Sequence, residues 1–148
     1  MLIETLQLLY TRDLKKLHAE IDLYEKEKNI WKTDGKIINS AGNLCLHLVG
    51  NLNTYMGKEI GKTDYVRNRE LEFSLKNIPR AELLHKIDDT IFVVNTALDH
   101  MEETDLAIEY PVLVFEEKTS TAYLLMHLAT HLTYHLGQVN YHRRLIDK

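Results

Sequence analysis

Apolar residues recur at intervals of three and four along most of the chain, with charged residues between them, the pattern of helices that bury one face. From Met1 to about Lys28, the positions Leu2, Leu6, Leu9, Leu14, Leu17, Ile21 and Tyr24 predict an amphipathic helix closed by the turn-like Thr33-Asp34-Gly35-Lys36. A second helix, capped by Asn39 or Ser40, runs to about Gly57, and its middle from Leu44 to Leu52 is apolar nearly all round, which predicts burial on most sides. Residues 58–78 lack a clear period and read as a solvated crossover carrying Lys58, Lys62, Arg67 and Arg69. Pro79 suits the start of a third helix, whose stripe of Leu83, Leu84, Ile87, Ile91, Val94 and Leu98 continues to about Met101. The β-favouring run from Ala107 to Phe115 is short and predicts an ordered loop, after which Thr119 or Ser120 caps a last helix that reaches about Ile146. Four long helices and two long connections describe an all-α four-helix bundle with crossovers, a single domain over residues 1–148.

Two polar stripes interrupt this apolar pattern. In the last helix, His127, His131, His135, Gln138 and His142 fall within one sector about 80° wide, at about 100° per residue. Histidines four apart sit about 6 Å from each other and can aim at one ion. His127 and His135 are about 12 Å apart along the axis, so one ion cannot take all three, and a third ligand must come from another helix. The second helix supplies a candidate, because Asn43, His47, Asn51 and Thr54 form a similar stripe on an otherwise apolar element. Gly50 and Gly137 sit inside helices, where each costs about 1 kcal/mol relative to alanine. Close approach of the second and last helices would explain both, and would bring His47 level with His131 and His135.

Composition excludes several alternatives. A net charge of -4, with both signs mixed along the chain, leaves no electrostatic footprint for nucleic acid or an anionic membrane. No apolar run reaches membrane length, and no signal peptide is recognisable, so a soluble cytoplasmic protein is expected. The single cysteine, Cys45, cannot form an internal disulfide and reads as a buried thiol. His18 falls at the edge of its helix's apolar stripe and reads as a boundary residue, with contact to a ligand or substrate as the alternative; His85 is spaced to pair with Asp88 or Asp89 and His100 is a helix-end residue, and neither of these two is a ligand candidate.

The buried His47, followed far downstream by His131-Leu-Thr-Tyr-His135-Leu-Gly137-Gln138, resembles the DinB/YfiT-like superfamily over essentially the whole chain. That resemblance implies an up-down-down-up bundle with long crossover loops and a divalent metal ion, nickel or zinc. His47, His131 and His135 would be its ligands and Gln138 the glutamine of the motif. It also implies a homodimer and a small-molecule substrate, with low-molecular-weight thiols among the candidates. Many relatives carry a second histidine where this chain has Tyr134, so any role of that histidine is missing here.

Three neutral imidazoles leave coordination positions open, unlike the four protein ligands of a closed structural site. A metal-dependent hydrolase or thiol transferase is therefore the leading expectation, with a non-catalytic metal-binding or stress-response protein as the alternative, and hydrogen-bonded structural histidines as a third. In helical zinc proteases a glutamate follows the first histidine, but Leu132 stands there, so no general base is evident. Asn51, Tyr55, His127, Tyr134 and Gln138 are the candidates to orient water or substrate.

Overall fold

The computed structural model describes all residues, 1–148, and is all-helical. Four long helices, α1 (Leu2–Asp22), α2 (Ala41–Leu52), α4 (Arg80–Asp99) and α5 (Thr121–Ile146), form the bundle, and a short α3 (Arg69–Ser74) lies in the first long connection. No helix is long and apolar enough to cross a membrane.

Side-chain pairings give the helix directions. Gln7 donates to Asp99 (2.6 Å), Asn95 donates to Thr11 (3.0 Å) and His18 faces Asp88 (3.6 Å), so α1 and α4 are antiparallel. Tyr10, Asp13 and Glu20 meet Leu125, Thr133 and Arg143 in that order, so α1 and α5 run parallel. Asn53 donates to Thr90, while a side chain at Gly57 or Gly61 would meet Val93 or Ala97, so α2 and its extension run parallel to α4. One continuous core of 28 residues draws on all four helices.

α1 ends at Asp22 rather than near Lys28, although Tyr24 remains buried. Distant side chains capture the backbone there: Arg80 donates to the carbonyls of Asp22 and Tyr24, and Asp147 accepts from the amides of Glu25 and Lys26. The apolar period therefore outlasts the helix, because the following turn is buried too. A 3-10 turn over Glu27–Trp31 then lays the Trp31 ring over Gly42, where a Cβ would lie 2.6 Å from a ring carbon. The predicted turn forms between Asp34 and Ile37, with Gly35 at φ +53.

Ser40 caps α2 by accepting from the Asn43 amide at 3.1 Å, and every residue of α2 is buried. Beyond Leu52 the helix widens into a π-helical stretch, Asn53–Lys58. Asn53 and Thr54 donate to the carbonyls of Val49 and Gly50, and such bonds from side chains back to the preceding turn loosen a helix where it must change pitch. Ser120 caps α5 as expected, and the loop before it contains a 3-10 turn, Glu103–Ala107, and a single bridge between Glu109 and Ser120.

The two helical glycines do not mark an approach of α2 to α5. Gly137 has nothing within 4 Å of where a Cβ would stand, and Gly50 faces α3 instead. Gly137 is thus an exposed interior glycine that costs helix stability without a packing return. Gly137→Ala is expected to raise the unfolding free energy by about 0.5–1 kcal/mol in chemical denaturation.

Candidate metal centre

His47, on the fully buried α2, and His131 and His135, one turn apart on α5, point into the seam between the two helices. Their ligating atoms all lie within 4.8 Å of one another. His47 Nε2 is 3.2 Å from His131 Nε2, and the His135 ring centre is 5.2 Å from that of His47 and 4.5 Å from that of His131. The three expected ligands are therefore close enough to hold one ion.

The outer ring nitrogens decide which atoms face inward. Glu72 Oε1 lies 3.0 Å from His47 Nδ1, and Gln138 Oε1 lies 2.6 Å from His135 Nδ1. Both oxygens accept, so each Nδ1 carries the hydrogen and each Nε2 keeps its lone pair for the shared centre. Two of the rings also resist protonation. Burial, then the neighbouring His135, His47 and His127, lower the His131 pKa to about 4. Burial also lowers that of His135, against the opposing bond to Gln138. Three imidazoles, two of them with Nδ1 bonded outward and Nε2 left towards the centre, are a donor set that fits a divalent transition ion. His131 Nδ1 is buried without a hydrogen-bond partner, which leaves its tautomer free to follow whatever its Nε2 binds.

Glu72 is the functional residue that the sequence reading missed. It sits on α3, inside the stretch expected to be a solvated crossover, and is only 6% exposed. Arg67 grips it with two bonds, Nε to Oε2 at 2.8 Å and Nη2 to Oε1 at 3.0 Å. Burial by itself would raise its pKa, but hydrogen bonds from His47 and Arg67 and the charge of Arg67 outweigh burial and hold the carboxyl below its usual range. Asn43 fixes the segment by donating to the carbonyls of Glu72 (2.9 Å) and Leu75 (2.8 Å), and Lys76 donates back to Asn43. Gly50 makes room: a Cβ there would stand 2.0 Å from Glu72 Oε2. Phe73, the next residue, places its ring centre 5.1 Å from that of His47. A faint signal existed in Asn68-Arg-Glu70-Leu-Glu72, because Asn68 caps α3, but six residues are too few to show a helical period.

The remaining candidates are arranged around the three histidines. Asn51 is buried and its Oδ1 has no partner. Tyr55 is half-buried on the π-helical stretch, with the Arg67 guanidinium 5.8 Å from its ring centre. His127 stacks on His131 at 6.2 Å and meets the edge of Phe115 at 4.7 Å, one turn outside the ligand group. Tyr134 is 64% exposed, with its ring 5.3 Å from that of His135. His142, on the same stripe, is a satisfied core histidine between the Tyr24 hydroxyl (2.6 Å) and the Lys32 carbonyl (2.7 Å). His85 pairs with Asp89 at 3.3 Å on the surface, and His100 bonds the Thr96 carbonyl, both away from the centre. Cys45 is fully buried and its pKa is pushed up to about 12, an inert thiol.

Two outcomes follow for the metal-free protein. Gly50→Ala should destabilise the fold by about 1–3 kcal/mol by overpacking against Glu72, which a denaturant midpoint would register. His131 resists protonation in the folded state, so between its ordinary pKa near ~6.5 and about 4 the unfolded chain takes up the proton first. Stability should therefore fall as pH drops through that window, and His131→Gln should flatten the fall.

Comparison with known proteins adds a family and a fold. No curated protein matches the chain. Among solved structures it is similar to a conserved protein from Enterococcus faecalis, with a TM-score of 0.71 at 14% identity over 94% of this chain and 95% of that one, a likeness of fold. The family model described as "Protein of unknown function (DUF1572)" matches residues 5–148, and the chain belongs to that family.

Proposed function

We propose that His47, His131 and His135 hold one divalent ion, nickel or zinc, in a centre that acts on a small-molecule substrate. One observation carries this reading: three imidazoles from two helices converge within 4.8 Å while Glu72 and Gln138 claim the outward nitrogens of two of them. A set of structural histidines would satisfy its nitrogens against protein acceptors, as His142 does. Here His47 Nε2 meets only another histidine nitrogen, His131 Nε2 at 3.2 Å, and His131 Nδ1 is buried with no partner, an arrangement that costs stability unless something binds there.

Such an ion supplies a Lewis acid that lowers the pKa of bound water or of a thiol. The residues of the chain do the rest. Glu72 and Gln138 hold the ring orientations, and Arg67 keeps Glu72 ionised. Phe73 and Tyr134 flank the histidines with aromatic surface, and Asn51 Oδ1 is a buried acceptor available to orient a hydroxyl or thiol. The carboxylate against the centre is committed to His47 and Arg67, so it is poorly placed to take a proton from water. A thiol, ionising near ~8.5, needs far less help. This favours S-transfer with a low-molecular-weight thiol over hydrolysis.

The helix directions, with α1 and α5 parallel and opposed to α2 and α4, support the DinB/YfiT-like up-down-down-up arrangement, and a homodimer belongs to the same reading.

Elemental analysis of the untagged purified protein is expected to find about one ion per chain, the stoichiometry of a single three-histidine centre. Alanine at His47, His131 or His135 should abolish tight binding, while His85→Ala and His100→Ala should retain it. Glu72→Gln should weaken metal affinity by about 10–100-fold without removing a ligand. A parent protein that stays empty after incubation with nickel and zinc would make the histidines structural and remove the enzyme reading.

A further inference from the structure

A cavity of about 290 Å³ opens in the same seam, its nearest lining residues one helical turn from His135 and from His47. Its walls come from the same two helices: Leu44 precedes His47 on α2 by three residues, and Gln138, Tyr141 and Leu145 follow His135 on α5. Side chains three or four apart share a helix face, so the cavity and the histidines occupy successive turns of one α2–α5 seam. The turn Asp34–Ile37 and the residues after it close the far side through Ile37, Ile38 and Asn39. Gln138 belongs to both places, bonded to His135 at 2.6 Å and lining the cavity.

Five of the nine lining residues are hydrophobic, and the polar four are Lys36, Asn39, Gln138 and His142. Both nitrogens of His142 are already occupied, by Tyr24 and the Lys32 carbonyl. Ile38, Tyr141 and Leu145 around it are 78%, 62% and 53% exposed, large apolar surface gathered at a concavity instead of scattered singly. A concave apolar site with a few polar groups beside a reactive centre is the usual form of a small-molecule pocket, and about 300 Å³ is the lower end of the range.

We infer that this cavity receives the apolar group of the substrate whose reacting atom sits at the three histidines, so the chain selects a small molecule with an aromatic or branched aliphatic body. The inference rests on the proposed metal centre for the reaction, but the cavity can be tested by itself. Ile38 and Leu145 are exposed, so a charge at either alters the wall without disturbing the core.

The test is an amide-shift NMR titration of zinc-incubated protein with 2-phenylethanethiol, 2-phenylethanol and 2-mercaptoethanol, with zinc content measured on the same samples. Both phenyl probes should shift the amides of residues 36–44 and 138–145, and 2-mercaptoethanol should not. The Ile38→Glu and Leu145→Glu double variant should bind the phenyl probes about tenfold more weakly with its zinc content unchanged, because charge has replaced apolar contact. Cavity shifts from both phenyl probes in a protein without zinc would keep the pocket and sink the metal centre. Bound zinc with no phenyl-dependent shifts along the cavity, or equal affinity in the double variant, would overturn the inference.

Discussion

The contact between the buried Glu72 carboxylate, His47 and Arg67 is the constraint on which the rest of the site depends. A lone carboxylate taken out of water would cost several kcal/mol or be forced to protonate, so it is tolerable here only because an imidazole N–H and a guanidinium reach it together. Removing Arg67 would leave the Glu72 carboxylate buried without its counter-ion. The contact also joins parts of the chain with no reason to meet otherwise. It docks the first crossover on α2, requires a glycine at position 50, and sets the ring of His47 at the angle that meets His131.

This explains a division of labour among the helices. α1 packs on α4 and α5 through a close apolar interface with Tyr10, Leu14, Leu17 and Ile21 nearly inaccessible, and its polar ties are mostly at the edges. The α2–α5 seam instead carries polar groups at successive turns, and α3 partly covers it. The seam holds an incompletely satisfied polar cluster within a core that all four long helices share. Marginally stable domains can carry such a cluster only where the remaining core compensates.

Much of this was readable from the sequence because helices write their period into it. The four long helices, the caps at Ser40 and Ser120, and the shared face of His131 and His135 follow from local sequence, while His47 joined them through the family resemblance. What was not readable depends on long-range contacts. Glu72 looks like any surface glutamate in an aperiodic stretch, and only its neighbours 22 and 25 residues away, Gly50 and His47, reveal why it is buried. The two glycines are not what brings the histidines together: Gly50 admits a carboxylate, Gly137 faces open space, and the histidines meet because α2 and α5 are neighbours in the core. The early end of α1 has the same origin, since Arg80 acts from mid-chain and Asp147 from the C-terminus.

The central claim is that three imidazoles from α2 and α5 share one ion. X-ray absorption at the zinc edge of the zinc-loaded protein tests it most directly, because it reports the number and type of ligating atoms without reference to activity. Three imidazole nitrogens at about 2.0–2.1 Å, with the remaining positions filled by light atoms and no sulfur, is the spectrum expected. A spectrum with fewer than three imidazoles, or with a sulfur ligand, would contradict it, since Cys45 is buried in the core and does not belong to the histidine cluster.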